Sequence, residues 1–237
     1  MMQAIAILLT FMKAYEVQYV FIKSEIDLYN RKKIRELKHI GCYHGWIEDA
    51  FPDERDKPKS ARSRKLWRID NINDKCYLLI LSESKPDFKK LEKYGIQHSA
   101  CTKNYDEFLN SLKEGMRAKF RIKLNTVKSY SNREVYKKRG RVAPVSMDGL
   151  NSFFIERTEK NGFFVKDDEF RIIRREEERF EHYAEDKSEE TNINLVSATY
   201  EGVLTITDLE KFKQTLTKGI GRKKAYGFGF LTIIPIK

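Results

Sequence analysis

Between residues 113 and 129, Met116, Ala118, Phe120, Ile122 and Leu124 alternate with Arg117, Lys119, Arg121 and Lys123. A period of two belongs to a β-strand with one face in a core and the other outward, since a slip of one residue would bury the cations. Whatever this chain folds into therefore contains a half-covered sheet with one cationic strand face. Such a face suits an RNA backbone and suits plain water equally well.

The flanking segments fit that sheet. Residues 17–27 read as a strand, and 28–40 as a helix capped by Asp27, with Leu28, Ile34, Leu37 and Ile40 opposite Arg31, Lys32, Lys33, Arg35 and Lys38. Residues 64–70 and 76–84 form a hairpin across the turn-forming residues 71–74, residues 86–94 a short helix, and 95–110 an irregular polar stretch. The first half thus runs strand, helix, strand, strand, helix, strand, the order of a ferredoxin-like unit and of single-strand RNA readers. A charge-dense link follows at 131–141. The second half repeats the order: a helix at 147–159, strands at 170–183 and 193–207 about an acidic turn, a helix at 208–217 capped by Asp208, and a last strand at 230–236. The expected organisation is an α+β chain of two tandem ferredoxin-like domains, 17–130 and 140–237, behind a segment at 1–16. That segment's apolar run, residues 4–12, is far shorter than the roughly 20 residues of a membrane span, and it lacks the basic region and cleavage site of a secretory signal. An upstream start or a loosely packed extension is expected there.

Lysine and arginine outnumber aspartate and glutamate 46 to 35, a formal charge of +11 that attracts polyanions without choosing among RNA, DNA and membrane. Cys42, Cys76 and Cys101 have no C-x-x-C spacing, and His39, His44, His98 and His182 no H-x-x-x-H spacing. Neither a disulfide framework, nor a structural metal, nor any cofactor is expected.

Residues 219–229 carry the densest chemical signal. Gly219, Gly221, Gly227 and Gly229 are interleaved with Arg222, Lys223, Lys224 and Tyr226, directly before the last strand. A loop this poor in side chains can lay its amides against a phosphate. The G-x-x-x-x-G-K-[ST] of a nucleotide P-loop is missing, and the loop precedes a strand instead of opening a helix. A ligand-free glycine turn shaping a sheet edge is the structural alternative, and three adjacent cations weigh against it.

Two linked stretches, residues 200–208 (YEGVLTITD) and 218–233 (KGIGRKKAYGFGFLTI), resemble the C-terminal end of the CasE family, the CRISPR RNA-processing endoribonucleases of the type I-E Cascade complex. Glu201, Gly202, Leu204, Ile206, Gly219, Ile220, Gly221, Lys224, Gly227 and Gly229 carry the resemblance, with Phe230 where leucine is usual. The segment YHGWIEDAFP at 43–52 resembles that family's YHxWxExxFP, and residues 120–128 partly resemble its FRLRANPxK, with Thr126 in place of proline. Taken alone, a histidine between Tyr43 and Gly45 is more often a packed or surface residue. The resemblance implies instead that His44 is the catalytic histidine, a group that titrates near working pH and can take or give the proton of a ribose hydroxyl. Some members carry a tyrosine three residues earlier, where this chain has Gly41; Tyr43 is left with an auxiliary role.

The resemblance further implies a metal-independent endoribonuclease that cuts CRISPR repeat hairpins, leaves a 2′,3′-cyclic phosphate and keeps its product. The expected partners are precursor crRNA, the mature crRNA hairpin and other Cascade subunits, in the cytoplasm, with no membrane and no direct reading of DNA. The glycine loop with Arg222, Lys223 and Lys224 would hold the backbone; Arg139, Arg141 and Arg175, with Arg171 and Arg174 near enough to acidic residues to be neutralised, would grip the stem. Arg64 and Lys65 flank Trp67, itself read as core before base-stacking platform. Two other readings remain: a hairpin-holding subunit that no longer cuts, and a generic basic DNA-binding domain, for which no helix-turn-helix or zinc pattern is visible.

Overall fold

A computed structural model of the chain describes residues 19–55, 57–130, 141–183 and 190–236. The segment at 1–16, Arg139 with the rest of 131–140, and 184–189 lie outside the described residues.

The first sheet contains β1 (Val20–Ile26), β2 (Leu66–Ile72), β3 (Lys75–Ser82) and β4 (Cys101–Asn104), antiparallel in the order β2-β3-β1-β4. Asn73 and Asp74 join β2 to β3 with φ of 49° and 61°, the left-handed pair that a two-residue hairpin needs. β4 and the helix after it, Asp106–Ser111, replace the irregular stretch expected at 95–110. A four-residue edge strand exposed on both faces has no alternation to betray it.

The helix expected at 28–40 is also different. Only α1 (Arg31–Ile34) forms, capped by Asn30, whose Oδ1 accepts from the Lys33 amide at 3.2 Å, and not by Asp27. Its apolar pair, Ile34 and Leu37, is only half-buried, too little to hold a longer helix together. The chain breaks and restarts as α2 (Ile40–Asp49), which buries Ile40, Trp46 and Ile47 on the first sheet. His44 therefore lies in the middle of α2, not beyond a helix end.

The alternating strand forms as β5 (Arg117–Asn125), with Ala118, Phe120, Ile122 and Leu124 buried. Its place is the second sheet and not the first: it pairs with β10 (Glu190–Ile206) and with β11 (Thr232–Pro235). β8 (Phe163–Phe164) and β9 (Phe170–Tyr183) complete that sheet on the far side of β10. Two helices, Leu150–Thr158 and Leu209–Lys218, cover it through Phe153, Phe154, Phe212 and Leu216, and Asp208 caps the second as expected. Strands β6 (Val127–Tyr130) and β7 (Arg141–Pro144) form a separate ribbon.

The two cores meet along β2. Leu66 belongs to the core of the second sheet and Trp67 to that of the first. Arg68, 3% exposed, fixes the junction. It donates to the carbonyls of Arg121 and Phe230, each at 2.9 Å, to Thr232 Oγ1 at 2.8 Å, and through two bonds of 2.7 Å to the Asp70 carboxylate. A buried guanidinium with this many acceptors leaves little of its hydrogen-bonding capacity unmet.

Candidate active site

Trp67 seats the glycine loop. Its indole Nε1 donates to the Ala225 carbonyl at 3.0 Å, and its ring lies against Gly227, where a Cβ would come within 3.0 Å of it. The loop is closed on itself as well: Ile220 N donates to Gly229 O at 2.9 Å, and Gly229 N to the β5 carbonyl of Lys123 at 2.7 Å. At Gly229, φ is +80° and a Cβ would sit 2.1 Å from the Ile220 oxygen, so only glycine fits. The amides of Gly219, Tyr226 and Gly227 are likewise spent on Thr215, Lys223 and Lys224 carbonyls. Gly219, Gly227 and Gly229 thus shape the loop, with amides that already donate to carbonyls of the chain and not outward as the sequence suggested. The loop presents side chains outward instead, with Gly221, Arg222 and Lys223 exposed and Lys224 half-buried.

The loop meets α2. The short 3-10 turn Lys224–Tyr226 places the Tyr226 ring edge-on to His44, with ring centres 5.9 Å apart. Tyr43 points elsewhere: it stacks on Trp67 at 6.3 Å, and burial raises its phenol above the ordinary value. Phe180 of β9 packs edge-on to Tyr226 at 5.6 Å and stacks on His39 at 4.7 Å. The position three residues before His44 is filled from outside, because a Cβ at Gly41 would come within 3.0 Å of both the Phe180 and His39 rings.

Lys224 is the electrostatically strained member. Burial, and then repulsion from Arg64, lowers its ammonium below the usual lysine range. Among the described residues no carboxylate lies within ion-pair distance of Arg64, Arg222, Lys223 or Lys224. Lys223 instead holds its ammonium 5.7 Å from the Tyr226 ring centre.

Lys65, the neighbour of Arg64, leaves the candidate set. Its side chain is buried and ion-paired with Glu54 at 2.9 Å and Glu48 at 3.7 Å, whereas Arg64 is exposed. Burial pushes the Glu54 carboxyl up, but Ser63, Ser84 and Lys65 outweigh it and hold the group down to about 2. Of the proposed stem contacts, Arg175 is exposed on β9, Arg171 is exposed, and Arg174 pairs with Glu176 at 3.2 Å; Arg141 opens the ribbon strand Arg141–Pro144.

A cleft of about 500 Å³ opens between the two sheets beside this site, lined by His39, Tyr43, Trp67 and Gly227 on one side and by Lys123, Glu176 and Glu178 on the other. Both signs of charge line it, so it offers less to a polyanion than the loop does. Among the described residues no group of three histidine, cysteine or carboxylate side chains is placed to hold a metal ion.

Sequence reasoning placed His44 and the loop but gave no role to Tyr226 or Phe180. Tyr226 stood inside the loop motif; nothing in the spacing of 170–183 marked Phe180, whose role arises only from sheet pairing.

The family model described as CRISPR associated protein matches residues 21–235. Among solved structures, the chain is similar to Thermus thermophilus Cse3 bound to an RNA representing a pre-cleavage complex, with 21% identity, a TM-score of 0.69, and 92% of this chain and 100% of that one covered. It is similar to Cas6e from Escherichia coli K-12 at 19% identity, TM-score 0.53, over 92% and 100% of the two chains. It is also similar to a chain of a CRISPR RNA-guided surveillance complex in a pre-nicking state, at 18% identity, TM-score 0.61, over 91% and 100%. At these identities the likeness is one of fold. No curated protein sequence matches the chain.

Proposed function

This chain belongs to the CRISPR-associated protein family, and from that premise we propose that it is an endoribonuclease that cuts the hairpin of a CRISPR repeat and holds the product within a Cascade complex. The reading takes the two sheets as tandem ferredoxin-like units. In support, the first sheet has its first and third strands central, and in the second β5 and β10 are central, with β11 outside β5 and with β8 and β9 outside β10; on this reading β5 opens the second unit and the units divide at 112–116, where a link at 131–140 was expected.

In the proposed reaction the ribose 2′-oxygen attacks the adjacent phosphorus in line, the bond to the 5′-oxygen breaks, and a 2′,3′-cyclic phosphate and a 5′-hydroxyl result. His44 takes the proton from the 2′-hydroxyl or gives one to the departing oxygen, and solvent water makes the other transfer, with no metal in either step. Arg64, Arg222, Lys223 and Lys224 hold the backbone and offset charge on the phosphorane. Arg139, Arg141 and Arg175 are proposed to contact the stem. The observation that carries the proposal is the meeting of a helical imidazole with a turn whose cations have no acid partner among the described residues.

The test is cleavage of the repeat hairpin encoded beside the gene, in excess EDTA. Cutting should persist under chelation and fall by about 10²-fold or more in His44→Ala, the typical share of an acid–base group, with binding retained. A hairpin-holding subunit that does not cut is the second reading, favoured by the packed space over Gly41. It wins if wild type and His44→Ala both hold the RNA intact.

A further inference from the structure

Tyr226 is held through both its backbone and its ring. Its amide donates to Lys223 O at 2.9 Å, the next amide donates to Lys224 O at 3.1 Å, and the carbonyl before it is held by Trp67. Its ring is wedged between His44 at 5.9 Å and Phe180 at 5.6 Å, both edge-on. Some tyrosine hydroxyls serve the fold: Tyr200 donates to Leu150 O at 3.0 Å, and Tyr94 donates to Glu36. Among the described residues no partner bonds the Tyr226 hydroxyl, although the side chain is half-buried. An aromatic ring this well held, carrying an unclaimed donor beside an imidazole and next to a run of cations, is organised for something that is not part of the chain.

We propose that the Tyr226 hydroxyl is a second catalytic group, donating a hydrogen bond to a non-bridging oxygen of the phosphate whose 2′-hydroxyl or leaving oxygen His44 serves. The proposal rests on the endoribonuclease reading. The hydroxyl keeps its proton throughout: as charge grows on the phosphorane the bond shortens, and it relaxes when the cyclic phosphate forms, so His44 makes one of the two proton transfers, solvent water the other, and Tyr226 neither. Burial lifts the phenol above its ordinary range, which keeps it a donor across the working pH. The ring, pressed between Phe180 and His44, fixes where that donor points.

Tyr226→Phe removes the hydroxyl and leaves the clamp. Single-turnover cleavage of the repeat hairpin at saturating protein should slow by roughly 10- to 100-fold, the span of a hydrogen bond to a charged group, with RNA affinity within twofold of wild type. On a substrate with a phosphorothioate at the cut, whose sulfur is a poor acceptor for the same bond, the deficit should shrink. A Tyr226→Phe rate within twofold of wild type overturns the proposal, as does a deficit equal on both substrates, which marks a structural effect. If wild type does not cut while holding the RNA, the endoribonuclease reading fails first and this proposal falls with it; cutting by wild type with an unslowed Tyr226→Phe sinks the proposal alone.

Discussion

Along β5, Arg117 pairs with Glu169, Arg121 with Glu201 and, at 3.5 Å, with Asp70, and Lys123 with Glu176 at 2.6 Å. On the glycine turn, Arg222, Lys223 and Lys224 meet no carboxylate among the described residues, and Lys224 is pressed toward Arg64. Both stretches are basic in sequence. The first has three of its four cations spent on neighbouring carboxylates, with Lys119 the exposed exception among the described residues, and ion pairs on a sheet face add little stability and offer little to a polyanion. The second stores like-charge repulsion that a phosphate would relieve. On this contrast, positive charge is expected to mark an anion site only where the fold leaves it unpaired.

The contrast is tested most severely by removing the turn's charge. Arg222→Ala, Lys223→Ala and Lys224→Ala together should weaken hairpin binding by roughly 30- to 100-fold at ~0.15 M salt and flatten the slope of log K against log salt by about 2, the counterion release of three single-strand phosphate contacts. The pH dependence follows from Lys224: its lowered pKa means the free protein loses this charge earlier on the alkaline side than an ordinary lysine would, and bound phosphate pulls the pKa back up. Wild-type affinity should therefore decline as pH rises toward the lysine range, and Lys224→Ala should remove part of that decline. Titration of RNA binding by fluorescence anisotropy reads both. A triple variant that binds like wild type would erase the distinction between the two stretches.

Much of this was legible from the residues and some was not, for physical reasons. The alternation at 116–124 fixes β5 and its buried face, because inside and outside differ by a single residue step. Its sheet is another matter: pairing with β10 is a contact across some eighty residues, as in Arg121 with Glu201, and no local pattern encodes it. The same limit hid the fate of the cations, since each acid partner of β5 comes from β9, β10 or the turn before β9, apart from Asp70 on β2. The glycines signalled a tight loop, which is what they make, but hydrogen-bond accounting was needed to see that most of their amides are already used. His44 came from a motif; Tyr226 against it came only from the meeting of loop and helix.

Arg64 and Lys65 reproduce the contrast within two consecutive residues. Lys65 is locked to Glu54, which also accepts from Ser63 N at 3.0 Å and Ser84 Oγ at 2.7 Å, so the group ties the segment before β2 to the body. Glu54→Gln leaves a buried ammonium short of its counter-charge and should cost about 3 kcal/mol, the low end for breaking a buried pair. The sign in pH is set by the depressed carboxyl: its contribution is complete above the unfolded value near 4.5 and is lost as pH falls toward about 2. Urea unfolding of wild type should show acid destabilisation over that window, and Glu54→Gln should lack most of it. An unchanged urea midpoint would mean that Lys65 is as unpaired as its neighbour.

The smallest effect is the most discriminating, because it asks whether the paired β5 cations are truly spent. Arg117 and Glu169 form an exposed pair, worth less than about 1 kcal/mol, so Arg117→Ala should unfold within that margin of wild type and bind the hairpin within about twofold. Glu169→Gln frees the same guanidinium without removing it, leaving Lys166 as the other cation that shared the carboxylate, at 3.9 Å. If RNA runs past the loop and not across this strand face, binding by Glu169→Gln also stays within twofold. A gain of fivefold or more there, or an equal loss in Arg117→Ala, would put β5 in the path of the RNA and make pairing by acids a matter of degree instead of the boundary between the two stretches.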